Sequence, residues 1–181
     1  MHITDVPDLD KLERQIVESF NGCSTDAEEL REIIVFGSYG RGGATKGESD
    51  LDIFIDAEGE NPEPVSFCMV NSRDKFRIDR NFEEWFDDYD VVIPGKIGRW
   101  GKLLDYLDEK KPREAYSLTE RSVIGRGDVE DREKIEDLRN QMYMLREDGL
   151  GGGLRDKSEL DAGTRRKVER IERKIEELRQ S

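Results

Sequence analysis

Histidine and cysteine are scarce in this 181-residue chain, and their scarcity removes whole classes of chemistry. The single histidine, His2, sits in an N-terminus expected to be mobile, which leaves no partner for a Ser/His or Cys/His nucleophile. The two cysteines, Cys23 and Cys68, have no metal-ligand or CxxC spacing, so neither zinc nor a disulfide framework is supported and reduced thiols are expected. Long apolar runs are also missing: none approaches the roughly 20 residues that span a bilayer. The opening MHITDVPDLD has neither a basic nor an apolar leader region, so the expected location is cytoplasmic, with no membrane partner. Finally, there is no excess of positive charge. A net charge of −13 argues against affinity gained by coating a polyphosphate backbone with Lys and Arg, and the acidity is read as solubility.

What is present is a modest core followed by a charged tail. Leu9, Leu12, Ile16 and Phe20 recur at helical spacing from a start at Pro7 or Asp8 to a stop at Asn21-Gly22. Ile33-Ile34-Val35-Phe36 reads as a buried strand that breaks at Gly37-Ser38, and a Gly-rich turn runs from Gly40 to Gly47. Leu51, Ile53 and Ile55 then alternate with Asp50, Asp52, Phe54 and Asp56, the period of a strand with one acidic face. Val65 to Val70 is a candidate additional strand, Asn81 to Asp88 a short helix, and Tyr89 to Ile93 a third strand closed by Pro94-Gly95. Trp100, Leu103, Leu104 and Leu107 mark a further helix, and Arg121 to Ile124 a short edge strand. The expected division is 1–127 for a catalytic domain and 128–181 for a helical tail, whose two amphipathic stretches flank Gly149 to Gly153 and can fold back as a hairpin.

The informative stretch is IIVFGSYGRGGATKGESDLDIFID, residues 33–56. Gly37 allows the backbone to approach a ligand closely, and the amides around Ser38 are placed to receive an anion such as a triphosphate. Asp50 and Asp52, two apart on a strand, project from one face with Cα atoms roughly 7 Å apart. Carboxylates so placed repel one another unless hard cations sit between them. Mg²⁺ prefers carboxylate oxygens, and a pair of such ions about 3.5–4 Å apart stabilises both the attacking and the leaving oxygen of an in-line displacement at phosphorus. Asp90, opening an apolar strand, is the natural third carboxylate, with Asp79, Asp87 and Asp88 as neighbours in sequence.

Gly37-Ser38, followed after eleven residues by Asp50-Leu51-Asp52 on an apolar strand, resembles the Gly-Ser/Asp-x-Asp signature of polymerase β-type nucleotidyltransferases. The similarity extends to tRNA CCA-adding enzymes, oligoadenylate synthetases, antibiotic nucleotidyltransferases and the minimal nucleotidyltransferases paired with HEPN toxins. Tyr89-Asp90-Val91-Val92-Ile93-Pro94 is similar to the strand carrying that family's third acidic residue. The resemblance covers residues 30–95 and leaves the tail out. It implies an α/β (α+β) fold, a mixed sheet flanked by helices, and metal-dependent transfer of a nucleoside monophosphate from an NTP, ATP being the expected donor, to a hydroxyl with release of pyrophosphate. Asp50, Asp52 and Asp90 would hold Mg²⁺ or Mn²⁺, and Gly37 and Ser38 would cradle the triphosphate. Arg41 and Lys46 are candidates to neutralise it, with a solvated loop as the alternative.

Other residues carry weaker signals. Tyr39 either packs or borders the nucleotide. Arg73, Lys75, Arg77 and Arg80, with Phe76 and Phe82, either track acceptor RNA or form a solvated face. Trp85 and Trp100 are read as core around the third strand. Residues 155–181 carry a net charge of +2 against −15 for the rest, which points to ion-paired helices that pack or dimerise. The tail is too small for a tRNA-binding domain, leaving a protein hydroxyl, a short RNA or a small molecule as acceptor. The competing expectation is a non-catalytic antitoxin or assembly partner that uses the same fold and acts through its tail, with no ribonuclease of its own because no histidine follows His2.

Overall fold

The computed structural model describes residues 1–23, 29–58, 68–69, 78, 82, 84–94, 98–107, 114–147 and 153–180. They form two compact units, Met1–Val129 and Glu130–Ser181.

The first unit is built on a six-stranded mixed sheet. Its strands are β1 (Glu29–Phe36), β2 (Leu51–Glu58), β3 (Cys68–Met69), β4 (Tyr89–Ile93), β5 (Glu114–Ser117) and β6 (Ser122–Gly125), in the order β3-β4-β2-β1-β5-β6. β2 and β4 run parallel, and every other neighbouring pair is antiparallel. Successive side chains of a strand point to opposite faces, so the apolar run of β1 supplies two cores at once. Ile33 and Val35 join Leu51, Ile53, Ile55 and Val91 on one face, under α1 (Leu9–Cys23). Ile34 and Phe36 join Phe54 and Val92 on the other, under α3 (Arg99–Tyr106) and Val129.

Asp8 starts α1: it adopts φ 57°, and its carboxylate accepts from the Lys11 amide at 3.1 Å. Leu12, Ile16 and Phe20 then fall on one stripe and are buried, each side chain contributing roughly 1.5–3 kcal/mol of transfer free energy. α3 lies on the opposite face of the sheet. Trp100 packs its ring on Phe54, 5.5 Å between centroids, and Arg99 pairs with Asp56 at 3.1 Å, both side chains almost entirely buried. Among the described residues no helix is long and apolar enough to cross a membrane.

Several sequence expectations need correction. The expected Asn81–Asp88 helix is a single helical turn at Phe82, whose carbonyl accepts from the Trp85 and Phe86 amides, while Asn81 and Glu83 lie outside the described residues; the Trp85 carbonyl accepts from the Gly47 amide and the Tyr39 hydroxyl. The expected Val65–Val70 strand is met by β3 at Cys68–Met69; its other positions lie outside the described residues. The edge strand starts at Ser122, since Arg121 takes the left-handed φ of 55° at the turn from β5. Arg73, Lys75, Arg77, Arg80, Phe76 and Asp79 lie outside the described residues.

In the second unit, which includes most of α4 (Arg126–Arg146), the chain reverses after that helix through a bridge between Glu147 and Leu154. α5 (Ala162–Arg179) is capped by Asp161, whose carboxylate accepts from the Gly163 and Thr164 amides at 2.9 and 3.0 Å. The Thr164 hydroxyl, which donates to the same carboxylate at 2.6 Å, and then those amides hold Asp161 below the usual carboxylate range. Val168, Ile171 and Ile175 form its buried stripe.

Candidate active site

The acidic face of β2 sits at the end of the sheet where β1 runs into α2 (Gly37–Arg41). The pairing register brings the parts together. Phe36, the last residue of β1, pairs with Asp52, and Asp52 pairs with Asp90 across the parallel β2/β4 ladder. Directly paired residues of neighbouring strands share a face, so Phe36, Asp52 and Asp90 form one rung on the same side of the sheet. Asp50 lies one residue before β2 and is exposed, so it belongs to the entrance of the strand and not to its ladder.

Electrostatics record the proximity of the three carboxylates. Burial first, then the charges of Asp90 and Asp50, push the Asp52 carboxyl up to about 6, opposed by the Arg41 guanidinium. Asp90 is raised as well, by burial and then by Asp50 and Asp88. Among the described residues no group of three His, Cys, Asp or Glu side chains forms a ready-made metal cage. Burial and, after it, the neighbouring negative charges both disfavour the ionised forms of Asp52 and Asp90. The donor set is all carboxylate oxygen, which fits a hard divalent cation.

Gly37 is packed against this cluster. It adopts φ 64°, and a Cβ at this position would stand 1.9 Å from Asp52 Oδ2 and 2.9 Å from its Cγ. Only glycine satisfies both the left-handed backbone and that approach. Ser38 follows, half-buried, in the first turn of α2, where backbone amides lack partners within the helix. Arg41 is exposed at the other end of this short helix. Lys46 is engaged elsewhere: its ammonium lies 3.3 Å from Glu84 and 4.0 Å over the Trp85 ring. Tyr39 is a packing residue, fully buried, with its ring edge-on to Phe86 at 5.0 Å and its hydroxyl bonded to the Trp85 carbonyl.

Two features of this loop were not read from the sequence. The first is Gly40, where a Cβ would stand 2.6 Å from the Val35 carbonyl oxygen, so α2 lies directly on β1. The second is His2, which is ordered where mobility was expected. Its Nε2 lies 3.0 Å from the Gly40 carbonyl and its ring meets Tyr116 edge-on at 5.3 Å, while the Ala44 amide donates to the Met1 carbonyl at 3.1 Å. The first residues thus strap the loop between Gly37 and Asp50. The repeated glycines at 37 and 40 were the available signal for the first feature; a contact spanning 38 residues leaves no local signal for the second.

Residues 14–116 match the family model described as a nucleotidyltransferase domain. No curated protein and no solved structure matches the chain significantly. The matched span contains the Gly37-Ser38 turn, the Asp50/Asp52 pair and the Asp90 strand, and it covers more than half of the chain. The chain belongs to the nucleotidyltransferase-domain family, within the polymerase β superfamily.

Proposed function

We propose that the protein transfers a nucleoside monophosphate from an NTP to a hydroxyl acceptor, using Asp50, Asp52 and Asp90 to hold divalent cations. The observation that carries this reading is the shared rung of Asp52 and Asp90, with Gly37 pressed against the Asp52 carboxylate. Such an arrangement destabilises the ionised carboxylates on their own and is relieved when cations neutralise them.

Bound there, Mg²⁺ or Mn²⁺ would supply Lewis acidity and charge neutralisation at the triphosphate. The chain's own groups do the remainder. The amides of Gly37 and Ser38 receive the triphosphate oxygens, and Arg41, whose charge already acts on Asp52, offsets the negative charge of donor and carboxylates together. The acceptor oxygen attacks the α-phosphorus, the bond from that phosphorus to the β-phosphate oxygen breaks, and pyrophosphate leaves. Asp90, on the rung with Asp52, is the carboxylate we assign to take the acceptor proton. Lys46 remains a second candidate to meet the triphosphate, its exposed ammonium pairing with Glu84 and lying over the Trp85 ring in this structure.

The acceptor in this reading is a protein hydroxyl, a short RNA or a small molecule, and the donor is ATP. Incubation with each of the four α-labelled NTPs and Mg²⁺ or Mn²⁺, beside the Asp50→Ala/Asp52→Ala double variant, tests it. Label transferred by wild type and not by the variant supports the reading and identifies both donor base and acceptor class. Absence of pyrophosphate release from any NTP, with cell extract present, overturns it.

A further inference from the structure

We infer that Tyr106 is the surface on which the base of the donor nucleotide stacks, an inference that rests on the nucleotidyl-transfer reading of the site. Three contacts fix the course of α3 across the sheet. Arg99 meets Asp56 toward the far end of β2, Trp100 meets Phe54, and Tyr106 meets Phe36. The helix therefore runs against the direction of β2, and its last turn arrives at the carboxylate end. There the Tyr106 ring stacks on Phe36, 5.2 Å between centroids and 30° between planes. Phe36 is itself the strand partner of Asp52 and the residue immediately before Gly37. Tyr106 thus stands one side chain beyond the carboxylate rung, on the same face.

Its exposure is what needs a reason. Phe36 is 6% exposed, as a core aromatic should be, while Tyr106 above it is 41% exposed. The ring is held by the Phe36 stack and by its place on the helix, yet much of it is left open to solvent beside the proposed triphosphate turn. A flat ring fixed in this way loses little conformational freedom on binding and offers a π face to any base. Tyr143, the other exposed aromatic among the described residues, lies on α4 in the second unit.

The test separates base from phosphates. Calorimetric titration with ATP and with inorganic tripolyphosphate, each as its Mg²⁺ complex, is run on wild type, Tyr106→Leu and Tyr106→Phe. Leucine keeps apolar cover over Phe36 and phenylalanine keeps the stack. The expected result is that Tyr106→Leu weakens ATP about tenfold, leaves tripolyphosphate unchanged, and is rescued by Tyr106→Phe. An ATP affinity unchanged in Tyr106→Leu overturns the inference, as does an equal loss for both ligands, which would mark a purely structural role. If wild type binds neither ligand, the nucleotidyl-transfer reading falls and this inference with it. If wild type binds both and the variants match it, only the stacking role falls.

Discussion

Gly37 and Asp52 occupy each other's space so closely that the Asp52 carboxylate oxygen stands where a Cβ at position 37 would have to go, 1.9 Å away. The expected outcome of Gly37→Ala is therefore a displaced carboxylate together with backbone strain of roughly 1–2 kcal/mol from the left-handed conformation. Thermal melting reads the strain. Transfer activity should fall far more than the melting temperature accounts for, and equal losses in both would argue against a role for this approach in catalysis.

Asp52 gives a pH-dependent signature. Its folded-state carboxyl is raised from 3.8 to about 6, so the fold favours the protonated form. The stability this contributes is complete below about pH 4 and is lost as pH rises through about 6. Asp52→Asn removes that loss. The variant should melt above wild type at pH 7–8 by about 1–2 kcal/mol, allowing for the partial solvation of the group, and should converge with it near pH 4. A stability difference independent of pH would contradict the assignment. Added Mg²⁺ or Mn²⁺ should raise the wild-type melting temperature and leave Asp52→Asn nearly unmoved.

Arg99 and Asp56 form an ion pair with 6% and 7% of their side chains exposed. Arg99→Met removes the guanidinium beside a buried carboxylate whose strand partner is the acidic Glu32, and is expected to cost about 3–5 kcal/mol in urea denaturation. Replacing both members, Arg99→Met with Asp56→Leu, should recover much of that loss. Failure of the double variant to recover would mean that the pair does more than compensate its own burial.

Gly40→Ala places a methyl group 2.6 Å from the Val35 carbonyl oxygen, a backbone atom that has no rotamer to escape into. A destabilisation of about 1–3 kcal/mol is expected, with α2 lifted from β1. Because Gly40 also presents its carbonyl to His2, the same variant should increase amide exchange in residues 1–5. Unchanged protection there would show that the strap holds independently of the loop.

The parts of this molecule that were legible in the sequence are those governed by short periods. The alternation of Leu51, Ile53 and Ile55 with acids gave β2 and its acidic face, and Tyr89 to Ile93 gave β4. β5 was not read: Glu114-Ala115-Tyr116-Ser117 is four residues without a β-branched side chain, and it becomes a strand by pairing with β1 and β6. The segment from Phe82 looked helical by composition and keeps one helical turn, but the bonds that the Trp85 carbonyl accepts from Gly47 and Tyr39 tie it to residues far along the chain and have no local signal. Neither Tyr106 nor His2 could be connected to the loop, since strand order and helix direction are properties of the assembled sheet.

The rung that joins Phe36, Asp52 and Asp90 places the acidic groups by ladder registry, not by the length of chain that connects them. A slip of one position in the β2/β4 ladder would turn Asp90 to the opposite face of the sheet, whereas residues added between β2 and β4 outside the ladders would leave the rung intact. The positions of the carboxylates are therefore insulated in this architecture from changes in the length of the chain that joins the strands.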